Sequence, residues 1–321
     1  MSIATQPLVL PRSGARLLAR DYAELIKLRV TTLIVMTAGA GFYFGALRSG
    51  VSSLSWALFH ALLGIGLISG GTAALNEVIE RDIDARMRRT ALRPLPSGRM
   101  SLAHGALVGG LLALGGALYL GLASNPLTGL LALATSVVYL AAYTPLKTVH
   151  PICTFVGAFP GAMPGVLGWT AARGRLEWPA LMLFAIVFFW QFPHFFSIAW
   201  LYREDYAKGG IRMLPVVEPD GRSTARRILF YSLGLIPISL LPTFLGMAGR
   251  IYGIGAFLLG GTLLYFSLRL AATTRAGAGA PTCPAERSSA RSRMLARNLL
   301  QATVFYLPLL FALMMWNALG A

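Results

Sequence analysis

The first feature of this sequence is a shortage of charge. Asp, Glu, Lys and Arg make up 12% of its 321 residues, whereas soluble globular domains carry about 25%. Acidic residues are the scarcer sign, with 12 Asp and Glu against 28 Lys and Arg. So little charge excludes an ordinary soluble domain, and the 56% hydrophobic share indicates a chain that lies mostly in lipid.

Cysteine is scarce as well. The chain has 2 cysteines, Cys153 and Cys283, and their separation suits neither a metal site nor a useful disulfide. No signal-peptide core precedes the first acidic residue, Asp21. We therefore expect residues 1–29 to form a cytoplasmic N-terminal segment, with an interfacial helix leading into the first membrane span.

Long apolar runs occupy most of the remaining sequence. Uncharged apolar runs of about 18 or more residues are typical of transmembrane helices. Nine such runs lie at about 30–47, 54–75, 102–123, 126–142, 152–172, 178–201, 228–248, 251–268 and 299–319. We predict an all-α polytopic membrane protein. Residues 30–321 would form one nine-span membrane domain, with a flexible cytoplasmic loop at 271–293.

The basic residues are distributed unevenly between alternate loops. A net charge of +16 is also found in nucleic-acid-binding proteins. Here, however, 24 of the 28 Lys and Arg fall on one side of the predicted spans, and only Arg48, Arg173, Arg175 and Arg250 fall on the other. The positive-inside rule then places the N-terminus in the cytoplasm and the C-terminus outside a cell (inner) membrane. The excess charge indicates membrane topology and no nucleic-acid partner.

The densest cluster of charge follows the second apolar run, in NEVIERDIDARMRRTALRP at 76–94. If that span continues as a helix, Asn76, Glu80 and Asp84 share one face, because residues four apart lie above one another. The prolines and glycine at 94–98 would then end the helix. Two carboxylates and an amide suit Mg²⁺, which also binds substrate phosphates. The alternative is an ordinary solvated loop with ion pairs between neighbouring turns.

Other loops on the same side carry groups that could bind an anion. The candidates for holding a diphosphate or lining its cavity are Arg93, Tyr143, Lys147, Tyr202 and Arg203. Asp205, in the loop after the sixth span, is a further catalytic candidate. Acids for a metal and bases for an anion on one face predict a site for Mg²⁺ and a diphosphate that faces the cytoplasm. Ordinary membrane-surface charges are the alternative.

One histidine lies inside a predicted span. His194 is in the segment WQFPHFFSIAW of the sixth apolar run, and an ionisable group within the membrane is by default a functional candidate. It could carry a proton or orient a substrate, or it could be a packed, hydrogen-bonded residue without a chemical role. The aromatic rings around it could stabilise a cation by their faces.

Together these motifs resemble the UbiA-type intramembrane prenyltransferases. The family pattern N-x-x-x-D-x-x-x-D appears as Asn76, Glu80 and Asp84, followed by M-x-R-T-x-x-R-P at 87–94. The segments YTPLK, GAFPGAMPGVLGW, WQFPHFFSIAW and YREDYAKGGIRMLPVV are similar to those of the haem-modifying branch, the protohaem IX farnesyltransferases. The resemblance runs from about residue 25 to 217 and more loosely to the last span.

The resemblance implies a UbiA-type helical bundle and a specific reaction. A farnesyl group would pass from farnesyl diphosphate to a vinyl group of haem b, with hydration, giving haem O and diphosphate. Asn76, Glu80 and Asp84 would hold Mg²⁺, Arg93 and the other bases would neutralise the diphosphate, and His194 could ligate the haem iron. Partners would be the lipid bilayer and, downstream, the next haem-modifying enzyme or oxidase assembly factors.

Two departures from the family pattern leave alternatives open. Glu80 stands where the superfamily most often has Asp, which keeps the charge but lengthens the side chain. Quinone-type relatives carry a second D-x-x-x-D motif, whereas here Asp205 is followed four positions later by Gly209. This favours haem over a quinone precursor or another aromatic acceptor, the closest alternative. A transporter and a non-catalytic haem-holding protein are rivals from other classes.

Overall fold

The structure is a computed structural model that describes residues 14–50, 52–275 and 290–319. Its regular elements in these ranges are helices. An isolated antiparallel bridge pairs Ala248 with Ala318, both of which lie outside the helices. The helices are α1 (Gly14–Leu25), α2 (Leu28–Leu47), α3 (Trp56–Asp84), α4 (Leu102–Ala123), α5 (Pro126–Leu146), α6 (Cys153–Arg173), α7 (Trp178–Leu201), α8 (Arg203–Gly209), α9 (Leu214–Val217), α10 (Arg222–Phe244), α11 (Arg250–Arg275) and α12 (Ala290–Trp316). The predicted all-α fold is confirmed.

Local capping signals explain where several of these helices begin. The side chain of Ser55 accepts a hydrogen bond from the amide of Leu58 at the start of α3. Ser101 caps α4 in the same way. Asn125 caps α5, whose first residue is Pro126. Side-chain oxygens at this position satisfy amides that have no partner inside the helix, and proline at the first helical position loses no hydrogen bond.

Eight helices are long and apolar enough to cross a membrane in the part of the chain that the structure describes. They are α2, α3, α4, α5, α7, α10, α11 and α12. The ninth predicted span corresponds to α6, a helix of 21 residues with Pro160 and Pro164 inside it. Its prolines and glycines make it less apolar than the other eight.

The contacts of α6 show that it also runs from one end of the bundle to the other. Near its start, Thr154 Oγ1 lies 3.6 Å from Met213 Sδ, in the loop that follows α8. At its end, Arg173 donates to the carbonyl oxygen of Arg48, which follows α2. Within the described residues, the bundle therefore has nine crossings if α6 is counted with the eight.

Glycine allows helices to approach closely where they cross. A Cβ at Gly41 of α2 would overlap the backbone of Gly165 in α6, and one at Gly168 would overlap the carbonyl of Ala38. Helix pairs in lipid associate through small residues, because apolar side chains gain little by leaving lipid tails. The glycine-rich sequences of α2 and α6 thus place these two helices in backbone contact.

The largest apolar core lies among α6, α7, α10, α11 and α12, and hydrogen bonds join several of its buried polar groups. Trp200 donates from Nε1 to Ser292 Oγ at 2.8 Å. Tyr252 donates to the carbonyl of Ser239 at 2.7 Å. Buried polar groups in a membrane need internal partners, since lipid offers none. These two side chains, which are fully buried, therefore orient the helices that carry them.

The end of α3 differs from the prediction. The helix ends at Asp84, ten residues before the first of the prolines at 94–98, so the prediction that they end it was wrong. Thr90 Oγ1 instead donates to the carbonyl oxygen of Asp84 at 2.9 Å. This side-chain donor satisfies one of the last helical carbonyls and so allows the helix to end there. The chain then continues in a series of turns up to residue 101.

The predicted terminal segment and loop are partly visible. In the predicted segment 1–29, α1 is a helix held to the loop after α3 by Arg99, whose guanidinium lies 2.9 Å from Asp21 and 3.4 Å from Glu24. In the predicted loop 271–293, α11 continues to 275 and α12 begins at 290, so both edges are helical. Residues 1–13 and 276–289, and with them Cys283, lie outside the described residues.

Candidate active site

The last turns of α3 bring the three predicted metal ligands onto one buried face. Asn76, Glu80 and Asp84 are 0%, 5% and 2% exposed. The side chain of Asp82 is 81% exposed, as expected for a residue on the opposite face. The helical stripe predicted from the spacing of four residues is therefore present, and it points into the bundle.

Each of the two carboxylates in this stripe is bound to one of the predicted diphosphate-binding bases. Lys147 Nζ, after α5, donates to Glu80 Oε1 at 2.6 Å. Arg93, in the loop after α3, donates from a terminal nitrogen to Asp84 Oδ2 at 2.7 Å. These charge-assisted bonds are short, as such pairs usually are. The acids expected to hold a metal and the bases expected to hold an anion thus neutralise one another.

A lysine that the sequence analysis missed completes the stripe. Lys27 Nζ donates to Asn76 Oδ1 at 2.6 Å. Lys27 joins α1 to α2 and has φ of 47°, the only positive φ of a non-glycine residue in the described chain. Its enclosure by the neighbouring helices, together with the Arg93 and Lys147 cations, lowers the pKa of Lys27 to about 8. Such a left-handed backbone is kept where the surrounding contacts enforce it.

Glu77 was also missed, although it follows Asn76 directly. Its side chain is fully buried, and neither carboxylate oxygen has a hydrogen-bond partner in the described residues. The nearest cation is Arg93, whose Nε lies 3.5 Å from Glu77 Oε1. Most buried polar atoms are hydrogen-bonded, so this acid is an exception. Its spacing of seven residues from Asp84 could have indicated it, since helical positions seven apart lie on nearly the same side of a helix.

Two tyrosines of α5 surround the base that binds Glu80. Lys147 Nζ lies 4.5 Å from the ring centroid of Tyr143 and 6.0 Å from that of Tyr139. Both tyrosines belong to a π-helical turn, 138–143, and such turns often occur at functional sites. The Tyr143 ring packs against Gly157 of α6, where a Cβ would overlap it. The structure thus brings Tyr143 to the site, as predicted.

Asp205 lies at the start of α8 and binds the loop that follows α3. Its Oδ1 accepts a hydrogen bond from the amide of Arg88 at 2.9 Å, and its Oδ2 accepts one from the amide of Arg89 at 3.3 Å. A carboxylate with both oxygens on backbone amides anchors a loop. Asp205 therefore supports the segment that carries Arg93.

The aromatic and basic residues near Asp205 form a second group beside this loop. Arg89 lies over the rings of Tyr202 and Tyr206, at 5.3 and 5.8 Å from their centroids. Arg203 donates to the carbonyl oxygen of Trp200 at 3.0 Å. The structure therefore places Tyr202 and Arg203 at the end of the bundle that carries the α3 stripe, which we call the mouth. Tyr202 contacts the loop after α3, and Arg203 contacts the end of α7.

His194 faces α12. Its Nδ1 is 2.9 Å from Thr303 Oγ1, and its ring stacks on Trp190 at 4.8 Å. Trp190 in turn donates from Nε1 to the carbonyl of Thr303 at 2.8 Å. The structure does not join His194 to the α3 stripe by any hydrogen bond among the described residues.

The oxygen atoms of the stripe are of the type that binds Mg²⁺, although in this structure each of its three side chains is bound to a base. No group of three His, Cys, Asp or Glu side chains is assembled for a metal in the ranges that the structure describes. Two buried carboxylates and an amide oxygen are nevertheless the ligands that Mg²⁺ takes in proteins. Surface cavities of about 330 and 460 Å³ lie on the outer face of α4 and at the far end of the bundle, and this stripe lines neither.

Comparisons with known proteins show the family to which the chain belongs. The model of the UbiA prenyltransferase family matches residues 33–290. A protoheme IX farnesyltransferase from Koribacter versatilis is 64% identical over 98% of this chain and 98% of its own length. One from Solibacter usitatus is 46% identical over 94% of this chain and 99% of its own length. The chain belongs to the protoheme IX farnesyltransferases of the UbiA prenyltransferase family.

Solved structures at low sequence identity share the fold of this chain. A digeranylgeranylglyceryl phosphate synthase gives a TM-score of 0.68 at 16% identity, covering 93% of this chain and 98% of its own. A UbiA homologue from Archaeoglobus fulgidus bound to GPP and Mg²⁺ gives 0.56 at 16% identity, covering 92% and 99%. The predicted prenyltransferase family and its membrane-embedded helical bundle are confirmed.

Proposed function

We propose that this protein transfers the farnesyl group of farnesyl diphosphate to a vinyl group of haem b, with addition of water. The products are haem O and diphosphate. The observation that carries the proposal is the buried stripe of Asn76, Glu80 and Asp84, which faces Arg93 and Lys147 at one mouth of the bundle. The names of the full-length relatives support haem as the acceptor.

The polar side chains of the mouth bind the diphosphate end of the substrate. Asn76, Glu80 and Asp84 would hold Mg²⁺, which supplies positive charge to the diphosphate oxygens when it is bound. The UbiA homologue from Archaeoglobus fulgidus, solved with GPP and Mg²⁺, supports this assignment. Arg93 and Lys147 then contact the diphosphate and stabilise the negative charge that it gains as the C–O bond breaks.

The apolar part of the site controls the farnesyl cation. Heterolysis of the bond between farnesyl C1 and oxygen leaves both electrons on the diphosphate and an allylic cation on the chain. The ring of Tyr143 beside Lys147 can stabilise that cation by its face, and apolar helices keep water away until transfer is complete. The vinyl π electrons then form the new C–C bond. Water adds to the resulting cation beside the porphyrin and releases a proton.

We infer that His194 binds the haem iron through Nε2. Thr303 Oγ1 donates its hydrogen to the carbonyl of Leu300 at 2.6 Å, so it accepts from His194 Nδ1. Nε2 of a neutral ring then keeps its lone pair, and a hydrogen bond from the other nitrogen is typical of metal-ligating histidines. A proton carrier or substrate orienter is the alternative. An unchanged absorption spectrum of bound haem in His194→Ala would contradict ligation.

The chain is a multi-pass membrane protein, and we place its site on the cytoplasmic side of a cell (inner) membrane. The support is the distribution of Lys and Arg in the sequence, since 24 of 28 fall in segments predicted to lie on the side of the α3 stripe. Haem O with its C15 chain is poorly soluble in water. Direct transfer to the next haem-modifying enzyme or to oxidase assembly factors would therefore suit the product.

The test is product formation by purified protein in lipid nanodiscs with haem b, farnesyl diphosphate and Mg²⁺. Mass spectrometry should detect a farnesyl-hydroxyethyl haem from the wild type, and none above about 1% of it from Asp84→Asn. Asp82→Asn, which removes the same charge from the exposed face of α3, should retain activity. Equal product from Asp84→Asn and wild type would remove the stripe from the mechanism. Prenylation of a phenolic acid in place of haem would favour the quinone-type alternative.

A further inference from the structure

Arg93 lies between two buried carboxylates of the same helix. One of its terminal nitrogens is 2.7 Å from Asp84 Oδ2, and its Nε is 3.5 Å from Glu77 Oε1. Glu77 accepts no hydrogen bond within the described ranges, whereas Asp84 is bound tightly. Only Asp84 belongs to the stripe assigned to the metal, so the two acids that face this guanidinium differ in role.

Three buried acids and three bases meet at the mouth. Its buried acids are Glu77, Glu80 and Asp84, and the bases beside them are Lys27, Arg93 and Lys147. A base whose acid is removed becomes a buried charge without a partner, which is strongly unfavourable. When Asp84 turns to a metal ion, Arg93 therefore needs another acceptor.

We propose that Glu77 is a positioning residue that receives Arg93 when Asp84 releases it. In this exchange the guanidinium moves from Asp84 to Glu77. Asp84 is then free to bind the metal, while Arg93 stays at the mouth, where it can bind the diphosphate. The inference rests on the proposed metal-binding role of Asp84 and adds a residue outside the N-x-x-x-D-x-x-x-D pattern.

In the present geometry, the Arg93 guanidinium has only a short distance to move in this exchange. Positions 77 and 84 are two helical turns apart on nearly the same side of α3, and the guanidinium already lies within ion-pair distance of both acids. The Arg93 side chain is 25% exposed and that of Asp84 is 2% exposed, so the guanidinium has more room to move than the acid. The open hydrogen-bonding capacity of Glu77 provides its new partner.

The experiment is a double-mutant cycle on metal affinity, which does not depend on turnover. Binding of Mn²⁺ to the full chain in nanodiscs is measured by electron paramagnetic resonance, with and without inorganic diphosphate. Glu77→Gln should weaken Mn²⁺ binding about 10-fold or more, because Arg93 then has only Asp84, and Arg93→Met should strengthen binding without diphosphate. In the Arg93→Met background, Glu77→Gln should have an effect of about 2-fold or less.

Equal weakening by Glu77→Gln in both backgrounds would overturn the proposal, since Glu77 would then act as a direct charge on the metal. Asp82→Asn is the matched control and should leave Mn²⁺ binding unchanged. A positioning role also predicts that Glu77→Gln raises KM for farnesyl diphosphate more than it lowers kcat, and that Glu77→Asp recovers part of the loss. If Glu77 were purely structural, Glu77→Gln would lower the stability of the protein and leave both the Mn²⁺ affinity and the KM for farnesyl diphosphate unchanged.

Two further outcomes separate this inference from the proposed function. If Glu77→Gln does not fold, Arg93→Lys replaces it in the test, because an ammonium group cannot contact both acids as a guanidinium can. Unchanged Mn²⁺ affinity in Arg93→Lys would then overturn the exchange. Absence of Mn²⁺ binding in wild type under both conditions would overturn it as well. If Glu77 and Arg93 are coupled in Mn²⁺ affinity but no haem product forms, the exchange is supported and only haem as the acceptor is rejected.

Discussion

At the scale of single residues, the mouth of the bundle consists of ion pairs that the proposed binding of Mg²⁺ and diphosphate would have to rearrange. Lys147 and Glu80 are joined at 2.6 Å, and both are buried. Removing one partner of a buried pair leaves an uncompensated charge, whereas removing both often costs little. Stability and catalysis therefore respond differently to single and double substitutions at this pair.

Lys147→Met should destabilise the protein by about 3–5 kcal/mol, since Glu80 would remain buried without its cation. The double variant Glu80→Gln/Lys147→Met should recover most of that stability and none of the activity. Thermal unfolding in nanodiscs, followed with product analysis by mass spectrometry, measures both quantities. A single variant as stable as wild type would show that the pair is not buried in the membrane-embedded protein.

At the scale of helices, backbone contact between α2 and α6 determines the geometry of the bundle. A Cβ at Gly168 would overlap the carbonyl of Ala38, whereas one at Gly110 of α4 would meet no atom within 4 Å among the described residues. The two glycines thus look alike in the sequence and differ completely in their surroundings. Only at Gly168 does a helix crossing require glycine.

Gly168→Val should abolish folded protein, because valine would force α2 and α6 apart. Gly110→Val, the same substitution on an open helix face, should change the yield by less than about 2-fold. Size-exclusion chromatography of fluorescently tagged variants in mild detergent measures the folded fraction. Comparable yields from the two variants would contradict the close crossing of α2 and α6.

At the scale of the whole molecule, the two ends of the bundle differ in charge and in content. The end with the α3 stripe carries most of the Lys and Arg. Of the 12 Asp and Glu in the sequence, only Glu177 falls in a loop predicted to lie at the other end. It accepts a hydrogen bond from Arg173, which lowers the pKa of Glu177 to about 2. This asymmetry predicts which end faces the cytoplasm.

Cysteine accessibility tests that orientation. With Cys153 and Cys283 replaced by Ser, Ser52→Cys and Ser97→Cys place single thiols at opposite ends of the bundle. A membrane-impermeant maleimide added to intact cells should label Ser52→Cys at least about 10-fold more than Ser97→Cys, and disruption of the membrane should remove the difference. The reverse pattern in intact cells would place the proposed site outside the cytoplasm.

The sequence by itself determined the features that depend on local periodicity and composition. Apolar runs predicted the crossing helices, because lipid requires each segment to satisfy its own backbone hydrogen bonds. A spacing of four residues predicted the stripe of Asn76, Glu80 and Asp84, because helical neighbours share a face. The sequence alone does not show which glycines of α2 and α6 are in contact.

Only the tertiary structure decided which charges meet. Lys27 contacts Asn76 across 49 residues and Lys147 contacts Glu80 across 67, distances in sequence over which no local pattern operates. The loop after α3 is likewise held by Asp205, more than 100 residues away. The spacing of seven residues from Asp84 could have indicated Glu77, but only the fold shows that Arg93 lies beside both acids.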